Sequence, residues 1–373
     1  MLFSHIVGHG ALKARLIGNI REGRVPHAQL FLGPRGSGNL PLALAYARYL
    51  LCEKPDLADA CDVCPACKQM NRLEHPDLHL MFPIALSDKQ RTCDKLLPDW
   101  RAMVLREPYA DLDLWRTGME EENKQLIIGK DIALEIQRLL SMKSFRGGWK
   151  VMLLWLPETM NIEAANKLLK TLEEPEPMTA IMLVGHDPQR LLPTILSRTQ
   201  QVQVPALRPS EVAEVLRERH PDLADDEAMA IALRSEGDLL EAQAIAAKGE
   251  EELFVFFRDW LRMCYEARIA VVTEFAEGFQ KMGREKQKAL MRYGLYLIRQ
   301  CVFQWQRAEE LVRTMGQEKE FVTGFSKLLN ASNAAGIRAE LETAHQHVER
   351  NANPKVLFMD LSYAMMRMLR KGR

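Results

Sequence analysis

The sequence predicts an α/β core of the P-loop type with a mainly parallel sheet, followed by a small helical lid and an all-helical C-terminal domain. Three observations carry this reading. Residues 33–40 read GPRGSGNL, the frame of a phosphate-binding loop, G-x-x-x-x-G-K-[ST], with the apolar run FLG leading in and the helical run LPLALAYARYLL leading out. Short apolar strand candidates then alternate with longer helical patterns up to about residue 205, as in βαβ units. Beyond about residue 251 the strand signals vanish, and amphipathic segments rich in Met, Leu, Phe and Arg run to the end of the 373 residues.

Within residues 1–205 the strand candidates are AQLFLG, KVMLLWL, AIMLVG and QVQVP, and the clearest helices are IALEIQRLLSMK and IEAANKLLKTLEE. Residues 80–125 interrupt this alternation. They hold Pro83, Pro98 and Pro108 together with Trp100, Tyr109 and Trp115, and read as an insertion of loops and short helices. Aromatic rings beside Arg101, Arg106 and Arg116 suit a nucleic-acid platform. Aromatics at helical spacing more often face a core, so packing of the insertion onto its own domain is the expectation. Pro205 and Pro209 then punctuate the chain. Ser210 reads as the N-cap of EVAEVLRERH, and DDEAMAIALRSE is closed by Gly237, which makes residues 206–250 a helical lid. Residues 251–373 form the helical third domain.

Equal numbers of acidic and basic residues, 50 of each, exclude a global electrostatic pull toward nucleic acid. Any DNA contact must be local or shared with partners. No stretch approaches the roughly 20 consecutive apolar residues of a membrane span, and the start MLFSHIVGHGALKARL lacks a basic-then-apolar secretion signal. A cytoplasmic protein without membrane contact is expected. In such a reducing compartment seven cysteines, four of them crowded between Cys52 and Cys67, favour metal over disulfides.

Cys52, Cys61, Cys64 and Cys67 are spaced C-x8-C-x2-C-x2-C. Two-residue gaps let neighbouring thiolates turn onto one ion, and four sulfurs complete the closed tetrahedral shell of structural zinc. An iron–sulfur cluster accepts the same four ligands, and spacing alone does not separate the two. His75 and His79 could substitute as ligands, but a complete cysteine set leaves them as hydrogen-bonding or surface residues.

The phosphate loop lacks its chemistry. Asn39 stands where the lysine belongs and Leu40 where the Mg²⁺-binding hydroxyl belongs. The second element of such a site is an apolar strand that ends in acidic residues. Here VMLL runs into Trp155, Leu156, Pro157 and Glu158, with no carboxylate at the strand end; Glu158 reads as a helix-entry or solvent-facing residue. Gly33, Gly36, Gly38 and Asn39 are therefore expected to cradle ATP phosphates weakly or not at all.

NKLLKTLEEP (166–175) followed by LLPTILSRTQ (191–200) resembles the signature of bacterial clamp-loader subunits of the AAA+ class. RVPHAQLFLGPRGSG and the four-cysteine module after the loop helix occur in the same order in that family. The resemblance covers about the first 250 residues and implies a RecA-like AAA+ core, a lid and a C-terminal collar for oligomerisation. It is strongest to members that do not hydrolyse ATP, since Asn39, Leu40, Trp155 and Leu156 depart from the ATPase members. It also implies a trans-acting arginine finger at Arg198, within Ser197-Arg198-Thr199, where the family usually has Ser-Arg-Cys. A planar, permanently charged guanidinium suits phosphate oxygens. The family's second nucleotide-sensing arginine has no counterpart, because Leu240 stands in Gly237-Asp238-Leu239-Leu240. The implied partners are gamma/tau ATPase subunits and a delta subunit within a DNA polymerase III holoenzyme, and through them a sliding clamp and primer-template DNA. An active clamp-loader-type ATPase and a zinc-dependent DNA-binding module are the alternatives; three degenerate nucleotide elements weigh against the first, and the absence of a dense basic stripe against the second.

Overall fold

The computed structural model describes residues 1–87, 90–118, 124–248, 251–314 and 316–370. Parts of the expected insertion (88, 89 and 119–123), the last two lid positions and Met315 and 371–373 of the expected helical domain lie outside the described residues. The chain forms two compact units, Met1–Ala244 and Ile245–Arg373.

Among the described residues the first unit has seven strands: β1 Ala28–Leu32, β2 Leu78–Met81, β3 Ile84–Ala85, β4 Leu126–Ile127, β5 Lys150–Trp155, β6 Thr179–Gly185 and β7 Gln200–Gln203. Five of them make an all-parallel sheet in the order β2-β5-β6-β1-β7. β3 and β4 pair separately and antiparallel. Strands β1, β5 and β6 are buried along their whole length, which is why they read as continuous apolar runs rather than alternating ones. The four strands legible in the sequence are present. The edge strand β2 was not: DLHLMF is short and sits between Pro76 and Pro83, so residues 80 and 81 belong to the sheet and not to the insertion.

Sheet order places the functional edge. The chain leaves β1 for β2 at one edge, whereas the step from β6 to β7 crosses β1 to the other. The reversal lies beyond the carboxyl ends of β1 and β6, the position at which doubly wound sheets bind ligands. The helix Asn39–Leu51 starts there, and all of its residues are buried. It packs against β1, β5 and β6 and against the helices Gly10–Arg21 and Pro65–Met70. The helices Lys130–Ser141 and Ile162–Glu173 pack on each other; Asn161 caps the second by accepting the Ala164 amide at 2.8 Å.

The insertion packs inward, as its aromatic content suggested. Trp100, Tyr109 and Trp115 are buried, Phe82 stacks on Trp100 with centroids 5.1 Å apart, and Trp100 meets Trp155 edge-on at 5.8 Å. Such pairs add about 0.5–1.5 kcal/mol each beyond their buried area. Trp115 Nε1 donates to Pro83 O at 2.9 Å. No nucleic-acid stacking platform is left by these rings.

Two helices of the expected lid, Pro209–Arg219 and Asp225–Arg234, pack against each other. Ser210 is not the N-cap of the first. Pro209 occupies its first position and Arg208 caps it, with the Arg208 amide donating to Glu211 Oε2 at 2.9 Å. The fixed φ of proline is preorganised for that first helical position, and this outweighs the capping preference of the serine behind it.

In the second unit the described elements are helical, among them Glu251–Glu266, Val272–Lys281, Arg284–Trp305, Gly316–Phe325, Ala334–Glu349 and Pro354–Arg370. Phe257, Trp260, Phe279, Leu297 and Phe358 lie in its core. Phe279 stacks on Phe358 at 4.4 Å, and Trp260 Nε1 donates to Ser362 Oγ at 2.9 Å, so the buried indole N–H is satisfied. No described helix of either unit is long and apolar enough to cross a membrane.

Candidate functional site

The loop from Gly33 to Gly38 follows β1 directly, with Gly36 (φ 63°) and Gly38 (φ 96°) in the left-handed region that glycine permits. A Cβ on Gly36 would also collide with the Asp238 carboxylate, and one on Gly38 would lie 3.1 Å from the Tyr109 ring. The cradle is thus intact and tightly enclosed.

Asn39 does not reach outward as a phosphate-binding lysine would. It is buried, and its Nδ2 donates to Gly185 O at 2.8 Å, within 3.4 Å of Gly33 O and 3.1 Å from His186 Nδ1. Its Oδ1 accepts the Leu40 amide at 2.9 Å. The side chain therefore ties the loop to the end of β6. Leu40 is buried among apolar neighbours and offers no metal ligand.

Three further segments close over the loop. Arg35 pairs with Asp111 at 2.5 Å and lies 3.7 Å from both Asp113 and Asp238, so it bridges the segment around Asp111 to the start of the helix Leu239–Lys248. Burial alone would lower its pKa, but Asp111, Asp238 and Asp113 outweigh that and raise it. The helix Leu239–Lys248 begins on the loop, with the Leu239 amide 3.3 Å from Gly36 O. His9 reaches Ser37 O with Nε2 at 2.7 Å, and the Val7 amide donates to the Tyr109 hydroxyl at 3.0 Å. His9 does not stand out in the sequence, whereas Arg35 lies inside the loop motif, Tyr109 among the aromatic residues of the insertion and Asp238 in Gly237-Asp238-Leu239-Leu240, though nothing local brings them together.

At the end of β5, Trp155 and Leu156 are buried, so the place of the acidic pair is apolar. Glu158 corrects the expectation of a solvent-facing residue. Leu156 adopts φ 56°, and the 3₁₀ turn Pro157–Thr159 carries Glu158 back over β6, where Oε1 accepts the His186 amide at 2.9 Å. Glu158 is 9% exposed. A left-handed leucine is costly and leaves no trace in local propensity, which explains why spacing alone misplaced this carboxylate.

The four cysteines converge. Their sulfurs all lie within 4.8 Å of one another, with Cys52 to Cys67 at 3.6 Å, Cys52 to Cys64 at 4.0 Å and Cys61 to Cys67 at 4.0 Å. A tetrahedral ion with Zn–S bonds of about 2.3 Å requires sulfurs about 3.8 Å apart, so the donor set fits one zinc. Cys64 caps the helix Pro65–Met70, its sulfur accepting the Cys67 amide at 3.4 Å, and the Cys64 amide points at Cys61 Sγ at 3.4 Å. Burial pushes the Cys52 and Cys67 thiols up, whereas the Val63 and Cys64 amides bring Cys61 down to about 7. Four sulfurs fill the shell and leave no position for water, which suits structure and not hydrolysis.

The cluster is fastened to the core. Buried Arg48, on the helix that starts at the phosphate loop, pairs with Asp62 and donates to Asn71 Oδ1 at 2.7 Å. Asp59 accepts the Phe3 and Ser4 amides at 3.1 and 2.9 Å. His75 is buried with its Nδ1 accepting the Asp77 amide at 3.1 Å, outside the sulfur cluster.

Arg198 lies apart from the phosphate loop in its bonding. It follows the short helix Pro193–Leu196, pairs with Glu173, and donates from Nη1 to Thr194 O at 3.1 Å and Ser197 Oγ at 3.3 Å. Thr199 is buried, and its hydroxyl donates to Ile195 O at 3.0 Å. The departure from cysteine at this position is thereby absorbed without an unsatisfied group.

Residues 8–208 match the family model described as DNA polymerase III, delta subunit. The chain belongs to this family. It is 32% identical over 232 residues to DNA polymerase III subunit delta' of Pseudomonas aeruginosa, covering 62% of this chain and 59% of that protein. It is 32% identical over 204 residues to subunit delta' of Bacillus subtilis, covering 55% and 50%. It is also 28% identical over 254 residues to subunit tau of Escherichia coli, covering 66% and 33%. Matches to delta' span about half the length of those curated relatives. The family match covers the phosphate loop, the cysteine cluster and Arg198, and ends just before the helix Pro209–Arg219.

Proposed function

We propose that this chain is a non-hydrolysing delta-prime subunit of a DNA polymerase III clamp loader, which completes a ring with gamma/tau ATPases and a delta subunit and offers Arg198 to a neighbour's nucleotide. ATP bound and hydrolysed next door would then drive loading of a sliding clamp on primed DNA. The inward-turned Asn39 carries the reading: the atom that replaces the lysine ammonium is consumed by Gly185 O, at the edge where β- and γ-phosphates would need a cation. The apolar Trp155 and Leu156 support it from a second element. In this reading the cysteine cluster holds a structural zinc, residues 206–250 act as the lid, and residues 251–373 form the collar.

The isolated chain is expected to turn over no ATP above background. Restoring the loop by Asn39→Lys with Leu40→Thr is expected to leave it inactive, because the strand end still lacks carboxylates and Asp238 still sits against Gly36. Steady-state hydrolysis that follows the chain through further purification would instead favour an active clamp-loader ATPase.

The helical region is expected to drive assembly. A chain ending at residue 250 should keep its metal and fold but no longer co-purify with the ATPase subunits. Unchanged co-purification would remove the collar from the proposal.

A further inference from the structure

We propose that Glu173 is a positioning residue for Arg198, holding the guanidinium ready for a phosphate of the adjoining subunit; this rests on the finger reading above. Glu173 closes the helix Ile162–Glu173, and 25 residues separate it from Arg198. Its Oε1 accepts Arg198 Nε, while Nη1 is taken by Thr194 O and Ser197 Oγ. Two of the three guanidinium nitrogens are therefore held by this chain. Nη2 has no partner among the described residues, in a side chain 32% exposed.

That arrangement matches what a finger acting on another subunit needs. A free arginine side chain samples many rotamers, and ordering it at the moment of reaction opposes the transition state. Anchoring Nε and Nη1 removes most of that freedom beforehand and leaves a donor for the phosphate oxygens. The carboxylate is also carried by a rigid element, the end of a 12-residue helix of a little over three turns that buries Leu168 and Leu172. Glu173 is half exposed, at 45%, so nothing in the core of this chain requires its charge.

The test is a double-mutant cycle in the complete reconstituted complex, reading ATPase turnover at the site that adjoins Arg198. Glu173→Ala is expected to lower kcat by about 10-fold with KM for ATP nearly unchanged, since an interaction used only in the transition state lowers kcat. Glu173→Gln keeps the acceptor for Nε and should retain most of the rate. In the Arg198→Ala background the Glu173→Ala change should cost nothing further, because the two act as one unit. Full activity of Glu173→Ala beside a strong Arg198→Ala defect would overturn the positioning role alone. Additive losses would do the same. An Arg198→Ala complex with wild-type turnover would overturn the finger reading first, and this inference with it.

Discussion

Arg198→Ala should lower ATP turnover at the adjoining site of the assembled complex by about 10³-fold or more, the scale of arginine fingers that stabilise phosphoryl transfer. Folding and assembly should change little, because the side chain is one-third exposed and its bonds are to a surface carboxylate, a backbone carbonyl and a hydroxyl. The defect should appear in kcat more than in ATP affinity, since a fork that meets developing charge contributes only in the transition state. Arg198→Lys keeps the charge but loses the fork, and should recover only part of the rate. DNA-stimulated and clamp-stimulated ATPase of complexes built with each variant decides the matter, and equal rates for wild type and Arg198→Ala would make Arg198 an ordinary surface residue.

Removing the metal should be the largest single loss of stability available to the first unit. Structural zinc in small cysteine-rich modules contributes an apparent 10–16 kcal/mol or so near neutral pH, against about 1 kcal/mol for a typical substitution. Cys64→Ser should drop zinc below one equivalent per chain and expose residues 52–79 to hydrogen exchange. The protection of residues 251–370 should be unaffected, since their core is separate. The pH dependence follows from the thiols: burial holds Cys52 and Cys67 above the usual thiol range, and the metal requires them deprotonated. Protons therefore compete with zinc, and release to a chelator should quicken as pH falls. Purified protein that carries no zinc, or iron with sulfide, would refute the assignment.

Part of the candidate site is legible in the residues themselves. Cys61, Cys64 and Cys67 declare themselves because two-residue gaps fit one turn of chain around an ion, and Cys52 lies just past the end of the helix that precedes them. The glycines of the phosphate loop and the missing lysine are legible for the same local reason. Trp100 and Trp115 are buried as their spacing predicts, because rings at that spacing rarely stay in water. Glu158 is turned inward, against the expectation from its spacing. Its direction depends on a left-handed Leu156, a strained conformation maintained by its surroundings and invisible to propensity.

By itself, then, the sequence determined the strand-and-helix alternation, the loop frame with Asn39 and Leu40 in place of its usual lysine and hydroxyl, and the spacing of the four cysteines. Each depends on residues within a few positions of one another or on a contiguous signature. Tertiary structure alone decided that β2 completes the sheet, that Asn39 turns toward Gly185 rather than outward, that Arg35 joins Asp111 to Asp238, and that Glu173 holds Arg198. These partners lie from 25 to 203 residues apart and meet only because parallel crossovers bring successive strand ends to one edge of the sheet. Hydrogen bonds and ion pairs act over a few ångströms, so their partners are set by where the crossovers deliver each side chain and not by its neighbours in the chain.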